Sequence, residues 1–198
     1  EETPDPREWT ANISSRCGAD PEGVVKAVDM LLDAKMPVIV VGQGVRYGGA
    51  ADDLRALAER LQIPVASSAS GLGALPVEHP LSLGLVQRGG VYHANHACRQ
   101  ADVLLALGVR FDDRTASSWI PGYSFTIPPT KLIHIDIDPE EIGRNYPVAL
   151  GLMADVRTFL RQIIDELDRR GHKAGSTETS QKWLAEIDTY RAKWDEFI

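Results

Sequence analysis

Short, unbroken apolar runs alternate along this chain with stretches in which apolar residues recur at helical spacing. The apolar runs are rich in β-branched residues and lie at 38–41, 63–66, 103–108, 132–138 and 148–152. Helical spacing recurs at 21–35, 52–61, 92–101, 156–167 and 183–194. Apolar runs of this length are typical of strands buried on both faces. Their alternation with helices predicts an α/β fold, a doubly wound parallel sheet with helices on both faces.

The polar segments between these elements suggest three divisions of the chain. We predict an N-terminal linker at 1–18, a central α/β domain at 19–170, and a C-terminal linker with a short helix at 171–198. Two interpretations of the last helix stay open, because it carries several aromatic residues. Either it packs on its own domain, or it fits a surface outside this chain.

Two stretches between the apolar runs carry expectations of their own. The irregular segment 110–130 is long for a loop in a compact domain, and such loops are often functional. Residues 139–142 predict a single helical turn, and the piece 81–86 is read as a short apolar part of a loop.

The stretch PVIVVGQGVRYGGA at 37–50 predicts a phosphate site. An apolar run ends at Gly42, and further glycines follow before a helical pattern begins at Ala50. Glycine lets the backbone turn sharply and approach a ligand closely, since it has no Cβ. The helix that follows directs its free N–H groups toward that gap, which suits an anion.

Other strand ends carry comparable groups. Serines follow the second run at 67–70, Gly108 to Arg110 follow another, and Asp136 to Asp138 close a third. In doubly wound sheets, ligands bind outside the carboxyl ends of the strands. The pattern therefore predicts one edge that cradles a phosphate-bearing cofactor.

Composition removes several classes of function. The net charge is -7 with no basic stripe, so nucleic-acid binding is not expected. No apolar run approaches the ~20 residues of a membrane span, and the acidic first residues do not resemble a signal peptide. Two unpatterned cysteines make no disulfide framework, which predicts a reducing, cytoplasmic setting.

Familiar catalytic motifs do not fit. The dinucleotide fingerprint fails because Tyr47 stands where its third glycine belongs. No Walker loop or nucleophile elbow is present. His93 and His96 lack neighbouring ligands, so no metal site is predicted. The aspartates at 112, 113, 136 and 138 suit structural or ligand-orienting roles better than acid–base work, and no catalytic residue is assigned.

The series PVIVVGQG, SGLGALPVEHPLSLG, ADVLLALGVRFDDR, KLIHIDIDPEEIGRN and MADV resembles the central domain of thiamine-diphosphate enzymes of the acetohydroxyacid (acetolactate) synthase type. The resemblance runs from about residue 19 to residue 167. It implies a Rossmann-like, six-stranded parallel sheet. It also implies that FAD or another adenine nucleotide binds in this domain, FAD acting as a structural cofactor.

The resemblance also implies a set of cofactor-binding residues. These are Gly42, Gln43 and Gly44; Ser68, Ala69 and Ser70; Gly84 and Leu85; Gly108, Arg110, Asp112 and Arg114; and Asp136, Ile137 and Asp155. The chain departs from the synthases where they carry threonine-leucine-methionine and methionine-histidine-glycine. Here those places hold Ser68-Ala69-Ser70 and the sequence LVQRGG.

The intact enzymes of this type decarboxylate pyruvate on thiamine diphosphate and pass the two-carbon fragment to a second keto acid. The resemblance therefore implies thiamine diphosphate and magnesium in two flanking domains, and a homo-oligomer when intact. No glycine-aspartate-glycine opening of a diphosphate motif occurs in this sequence. We therefore expect a fragmentary central domain that is inactive alone. Two alternatives stay open: a stand-alone flavin- or nucleotide-binding module, and a purely structural domain of another thiamine-diphosphate decarboxylase.

Overall fold

A computed structural model describes residues 16–196 of the chain, so most of the predicted N-terminal linker lies outside the described residues. The six strands are β1 (Pro37–Val41), β2 (Val65–Ser67), β3 (Ser82–Leu85), β4 (Val103–Leu107), β5 (Lys131–Asp136) and β6 (Leu150–Met153). The helices are α1 (Pro21–Asp33), α2 (Gln43–Gly48), α3 (Ala51–Leu61), α4 (Tyr92–Gln100), α5 (Val156–Arg169) and α6 (Glu178–Asp195).

All six strands are parallel and follow the order β3-β2-β1-β4-β5-β6. Every residue of the central strands β1 and β4 is buried. Alternate residues of these strands face two separate hydrophobic cores, one formed with α1, α3 and α5 and the other with α4 and α6. The prediction of a doubly wound parallel sheet with helices on both faces is confirmed.

Local signals set several element boundaries. Asp20 Oδ1 accepts a hydrogen bond from Gly23 N at 3.0 Å and so caps α1. Asp155 does the same for α5, accepting from Thr158 N at 3.0 Å. A side-chain acceptor at this position satisfies an N–H that has no partner within the helix. Both predicted helix starts are confirmed.

At 139–142, where the sequence predicts the start of a single helical turn, the structure has hydrogen-bonded turns, such as the bond from Glu141 N to the Asp138 carbonyl at 3.2 Å, and they do not extend into a helix. Asp136 Oδ1 accepts from Asp138 N, and Asp138 Oδ1 accepts from Glu140 N, each at 3.0 Å. Such bonds between an aspartate and the N–H two residues later compete with helix formation.

Two elements were not foreseen. The glycine-rich stretch after β1 forms the short helix α2, which ends where Gly49 adopts a left-handed conformation with φ 62°. The stretch read as part of a loop contains the edge strand β3, which pairs with β2 through a register shift. Glycine content hid the helix, and the short length of β3 hid the strand.

The last helix is longer than the predicted span 183–194. It begins at Glu178, because Thr177 and Ser180 form a capping box. It packs on its own domain: Trp183 is 2% exposed, and its Nε1 donates to the Pro37 carbonyl at 3.1 Å. The boundaries at residues 18 and 170 stay predictions, although α6 covers the same sheet.

None of the helices in the described part of the chain combines the length and the apolar character needed to span a membrane.

We expect Trp183→Ala to lower the free energy of unfolding by about 3–5 kcal/mol, because it opens a cavity beneath α6 and removes the bond to Pro37. Denaturant titration followed by circular dichroism measures this change. The control is Lys182→Ala, on the exposed face of the same helix, which removes an ion pair with Glu178. It should change the free energy by about 0.5 kcal/mol or less. Equal losses in the two variants would contradict a docked α6.

Candidate functional site

A cavity of about 430 Å³ opens at the point where the strand order reverses. From β1 the chain proceeds to β2 and β3 on one side, and then crosses to β4 on the other side of β1. Ligands of doubly wound sheets bind at such a switch point, outside the carboxyl ends of the strands. Gly44, Gly108 and Asp136, which follow or end three different strands, all line this one cavity.

The glycines of the cavity floor are required by the chain itself. A Cβ on Gly42 would lie 2.0 Å from the Gly108 carbonyl oxygen, and a Cβ on Gly44 would lie 2.8 Å from Gly108 Cα. Gly108 also has φ +60°, which disfavours a side chain. The sequence predicts that these glycines let a ligand approach closely. The structure gives a simpler reason for their presence, because two backbone turns pack against each other at these positions.

Part of the cavity lining consists of two aspartates, Asp136 and Asp138, and of Arg110, which is only weakly paired. Asp136 as a residue is 8% exposed, and its carboxylate accepts a described hydrogen bond from Asp138 N. Arg110 Nε lies 3.9 Å from Glu141 Oε1, which also receives a closer 2.8 Å bond from Arg144. The Arg110 guanidinium is thus free to turn toward an anion in the cavity.

An ion pair between Arg16 and Asp155 also lines the cavity. Arg16 Nη1 donates to Asp155 Oδ2 at 3.1 Å and to the Gly48 carbonyl at 2.6 Å. Asp155 also caps α5. Arg16 and Asp155 together therefore connect the N-terminal segment, α2 and α5. The charge of Asp155 is compensated by Arg16, whereas Asp136 and Asp138 form no ion pair with another residue in the range 16–196.

Two apolar side chains complete the rim. Tyr47 is 84% exposed and Ile137 is 63% exposed, and both line the cavity. Large apolar side chains at this exposure beside a polar cavity are typical of surfaces that contact a planar ligand group.

The structure divides the predicted site residues into two groups. Those that line the cavity are Gln43, Gly44, Gly108, Arg110, Asp136, Ile137 and Asp155. Those that do not are Gly42, Ser68, Ala69, Ser70, Gly84, Leu85, Asp112 and Arg114. Gly42 packs against Gly108, which lines the cavity. The two serines follow β2, and Gly84 and Leu85 lie in β3. Asp112 accepts from Thr115 N at 2.8 Å, and Arg114 lines a second, smaller cavity.

Sequence reasoning missed five lining residues: Arg16, Tyr47, Gly48, Asp138 and Val156. Asp138 and Tyr47 had a signal, since each lies within a stretch already assigned to a strand end. Arg16 had none, because its place depends on an ion pair with a residue 139 positions later.

His134 in β5 connects the residue after the end of β4 with the turn that follows β5. Its Nε2 donates to the Val109 carbonyl at 2.8 Å, and its Nδ1 accepts from Gly143 N at 3.4 Å. Burial lowers the pKa of this histidine, against smaller opposing effects of the Val109 carbonyl and the carboxylates of Asp136 and Glu141. The neutral imidazole is thus the form that bridges the β4 and β5 ends.

No group of three or more histidine, cysteine, aspartate or glutamate side chains suited to a metal ion occurs within residues 16–196. His93 and His96 lie on α4, where His96 stacks on Tyr92 with ring centroids 4.6 Å apart.

Comparison with known proteins gives one family. Residues 24–163 match the model of the thiamine pyrophosphate enzyme, central domain. The chain is 38% identical over 170 residues to the acetolactate synthase large subunit of Haemophilus influenzae, covering 86% of this chain and 29% of that protein. It is 34% identical over 193 residues to the acetolactate synthase isozyme 3 large subunit of Escherichia coli, covering 95% and 33%. It thus spans about a third or less of these relatives' length.

We expect His134→Gln to flatten the pH dependence of stability between about pH 7 and pH 5. As the pH falls below about 6.5, an unfolded histidine takes up a proton that the buried His134 resists. Unfolding then binds protons, so the free energy of unfolding falls with falling pH. Glutamine keeps a donor for Val109 without titrating.

Urea titrations at several pH values measure this slope. The control is Ile135→Val in the same buried strand, which costs about 0.5–1.5 kcal/mol but removes no titrating group. It should keep the slope of the unmodified protein. A His134→Gln protein with that same slope would show that other histidines account for the effect, such as His93 and His96, whose pKa values burial also lowers.

Proposed function

The chain belongs to the family of thiamine pyrophosphate enzyme central domains and is homologous to acetolactate synthase large subunits, and from this premise we propose that it is the nucleotide-binding central domain of an acetolactate-forming carboligase. In that enzyme, flanking domains hold thiamine diphosphate and magnesium, and the chains associate as a homo-oligomer. Thiamine diphosphate supplies the chemistry that joins a two-carbon fragment of pyruvate to a second keto acid. This domain supplies framework and a pocket.

The observation that carries the nucleotide proposal is the placement of Asp136 and Arg110 in one cavity at the switch point. A buried carboxylate at a strand end suits the hydroxyls of a ribose, as in other doubly wound sheets. A guanidinium offers paired, charge-assisted hydrogen bonds to phosphate. The two groups therefore match the two polar parts of one nucleotide.

The rim fits the remaining part. Tyr47 and Ile137 expose apolar surface above the polar floor, which suits the faces of a planar base. The cavity volume of about 430 Å³ lies within the usual range for small-molecule sites. The residues present thus fit an adenine nucleotide.

A complete FAD needs more of the edge than this cavity. The cavity lies at β1, β4 and β5, whereas Ser68, Ser70 and Leu85 lie at β2 and β3. At about 4.8 Å per strand, the ends of β3 and β5 are about 19 Å apart. FAD would place its adenosine in the cavity and its flavin over β2 and β3. An adenosine diphosphate would use the cavity alone.

The stand-alone flavin module is not favoured, because the family match covers residues 24–163 and the relatives are acetolactate synthase subunits. The purely structural domain, with no ligand in the cavity, is an outcome of the experiment that follows.

We expect ADP at about 100 times its dissociation constant to stabilise the chain by about 2.7 kcal/mol, which corresponds to roughly 5–11 °C in melting temperature. Arg110→Gln should weaken ADP binding about tenfold, since it removes a charge-assisted bond to phosphate. Asp136→Asn should also weaken binding, because it replaces the charged acceptor proposed for the ribose hydroxyls while keeping an oxygen that accepts from Asp138 N. Calorimetric titration with ADP measures both.

The matched control is Arg161→Gln, which removes an exposed arginine paired with Asp53 and does not line the cavity. Its ADP affinity should equal that of the unmodified chain. FAD is titrated in parallel, and the absorption spectrum of the purified protein shows whether flavin is already bound. If neither ADP nor FAD shifts the melting temperature, the nucleotide proposal is refuted and the structural role remains.

We expect the chain alone to show no carboligation with pyruvate, thiamine diphosphate and magnesium, because the proposal assigns cofactor activation to other domains. A colorimetric assay for acetolactate measures this. The control is a full-length synthase in the same buffer, and turnover by the chain alone would contradict the proposed division of labour.

A further inference from the structure

Helix α6 contacts the starts of two strands on the sheet face that α4 also covers. At the start of β1, Trp183 Nε1 donates to the Pro37 carbonyl at 3.1 Å. At the start of β3, Arg191 Nη2 donates to the carbonyls of Pro80 and Ser82, at 2.9 and 3.0 Å. The position of α6 and the position of the edge strand β3 are therefore linked through one side chain.

The contact between α4 and α6 is built around a histidine. The His96 ring stacks on Tyr92 of its own helix with centroids 4.6 Å apart, and it meets Tyr190 of α6 edge-on at 4.7 Å. Tyr190 is 7% exposed, and its hydroxyl donates to the Glu186 carboxylate. We call these four residues, together with His93, the α4–α6 interface.

Arg99 restricts His96 to its neutral form in this interface. Arg99 Nη2 contacts His96 Nδ1 and lies 3.3 Å from Nε2, and Nη1 of the same guanidinium donates to the Gly122 carbonyl at 3.1 Å. A guanidinium can only donate hydrogen bonds, so the imidazole must accept. A protonated His96 would lose this bond and would place two positive charges in contact.

His93 likewise offers no place for an added proton. Its Nδ1 is buried, and none of the residues from 16 to 196 supplies a hydrogen-bond partner for it. An N–H at this atom would be a buried donor without an acceptor, which is costly. Burial and then the charge of Arg191 lower the pKa of His93, against smaller opposing effects of the Leu83 carbonyl and Asp195.

The charges around His96 act in the same direction. Burial lowers its pKa first, followed by the positive charges of Arg99 and Lys193, and the Glu186 carboxylate opposes them. When α6 leaves α4, both histidines become hydrated and lose the cations of α6. Their pKa values then return toward the ordinary value of about 6.5. The docked helix therefore binds fewer protons than the undocked one.

We propose that α6 docks reversibly on α4, held there while His93 and His96 are neutral and released when both are protonated. Release uncovers the buried side chains of Trp183 and Ile187. It also frees the two carbonyls at the start of β3 that Arg191 holds. The proposal does not rest on the nucleotide function, because the lining of that cavity includes no residue of α4 or α6.

Proton linkage gives the direction and the size of the effect. Docking is strongest above about pH 6.5 and weakens as the pH falls below that value, since the undocked state takes up the protons. Each histidine that resists protonation shifts the docking equilibrium by up to about tenfold per pH unit, and two shift it by up to about a hundredfold.

Amide hydrogen exchange of the chain at pH 7.5 and pH 5.5, corrected for the intrinsic effect of pH on exchange, measures the opening of α6. We expect the protection of the Leu184 and Tyr190 amides to fall by about tenfold or more at the lower pH. Leu105 in the central strand β4 should remain better protected than α6, because the sheet stays folded. In the double variant His93→Gln, His96→Gln, the protection of α6 should not depend on pH, since glutamine does not titrate and still offers an oxygen to a guanidinium.

The matched control is Ile187→Val, which removes a buried methylene from α6 but no titrating group. It should lower the protection of α6 at both pH values and keep the fall between them. Titration of the imidazole NMR signals of the unmodified chain is a second measurement that needs no variant, and both pKa values should lie below about 6.5.

Three results would overturn the proposal. The first is a pKa of 6.5 or higher for both histidines, and the second is a double variant whose α6 loses protection with falling pH as the unmodified chain does. The third is equal protection of α6 and of Leu105 at pH 5.5, because the domain would then open as one unit. If the double variant fails to dock α6 at pH 7.5, the imidazole titration and the comparison with Leu105 decide.

Discussion

The close packing of two backbone turns, one after β1 and one after β4, determines the geometry of the sheet edge. Gly44 and Gly108 approach each other so closely that neither position accepts a Cβ. The N–H groups of Gly42 and Gly108 continue the sheet ladder to the carbonyls of Leu107 and Ile135, at 3.0 and 2.8 Å. These contacts fix the ends of β1, β4 and β5, and with them the groups that line the cavity of Asp136 and Arg110. The glycines are therefore requirements of the fold, and the identity of a ligand rests on the side chains around them.

Local pattern was enough to predict the elements that a buried apolar run or a side-chain cap defines, such as β1, β4 and α5 with its cap Asp155. It also predicted that Gly44, Gly108 and Asp136 meet, since parallel strands share one edge. The sequence pattern did not predict the features whose position depends on tertiary contacts. The strand β3 is short and irregularly paired, and Arg16 reaches the cavity only through its ion pair with Asp155.

The division of the predicted site into two cavities was likewise beyond the sequence. Strand order puts Asp136 and the residues that follow β3, such as Arg88, on opposite sides of β1, and the long segment after β4 carries Arg114 to the β3 side. The strand order cannot be predicted from local residues, because the sequence of a crossover does not show where in the sheet the next strand inserts. The resemblance to the synthases names cofactor-contacting positions along the whole edge, and the structure shows which of them face a common space.

The two halves of the edge present different chemical groups. On the β5 side, a buried carboxylate and a loosely held arginine suit the ribose and phosphate of a nucleotide. On the β3 side, Ser68 and Ser70 stand where the resemblance places the threonine-leucine-methionine of the synthases, and Arg88 lies in the segment that replaces their methionine-histidine-glycine. A guanidinium favours an oxyanion over the apolar edge of a ring, since removing its charge from water without a counter-ion is costly. An adenine nucleotide in the first cavity therefore does not require a flavin over β2 and β3, and the occupants of the two halves are separate questions.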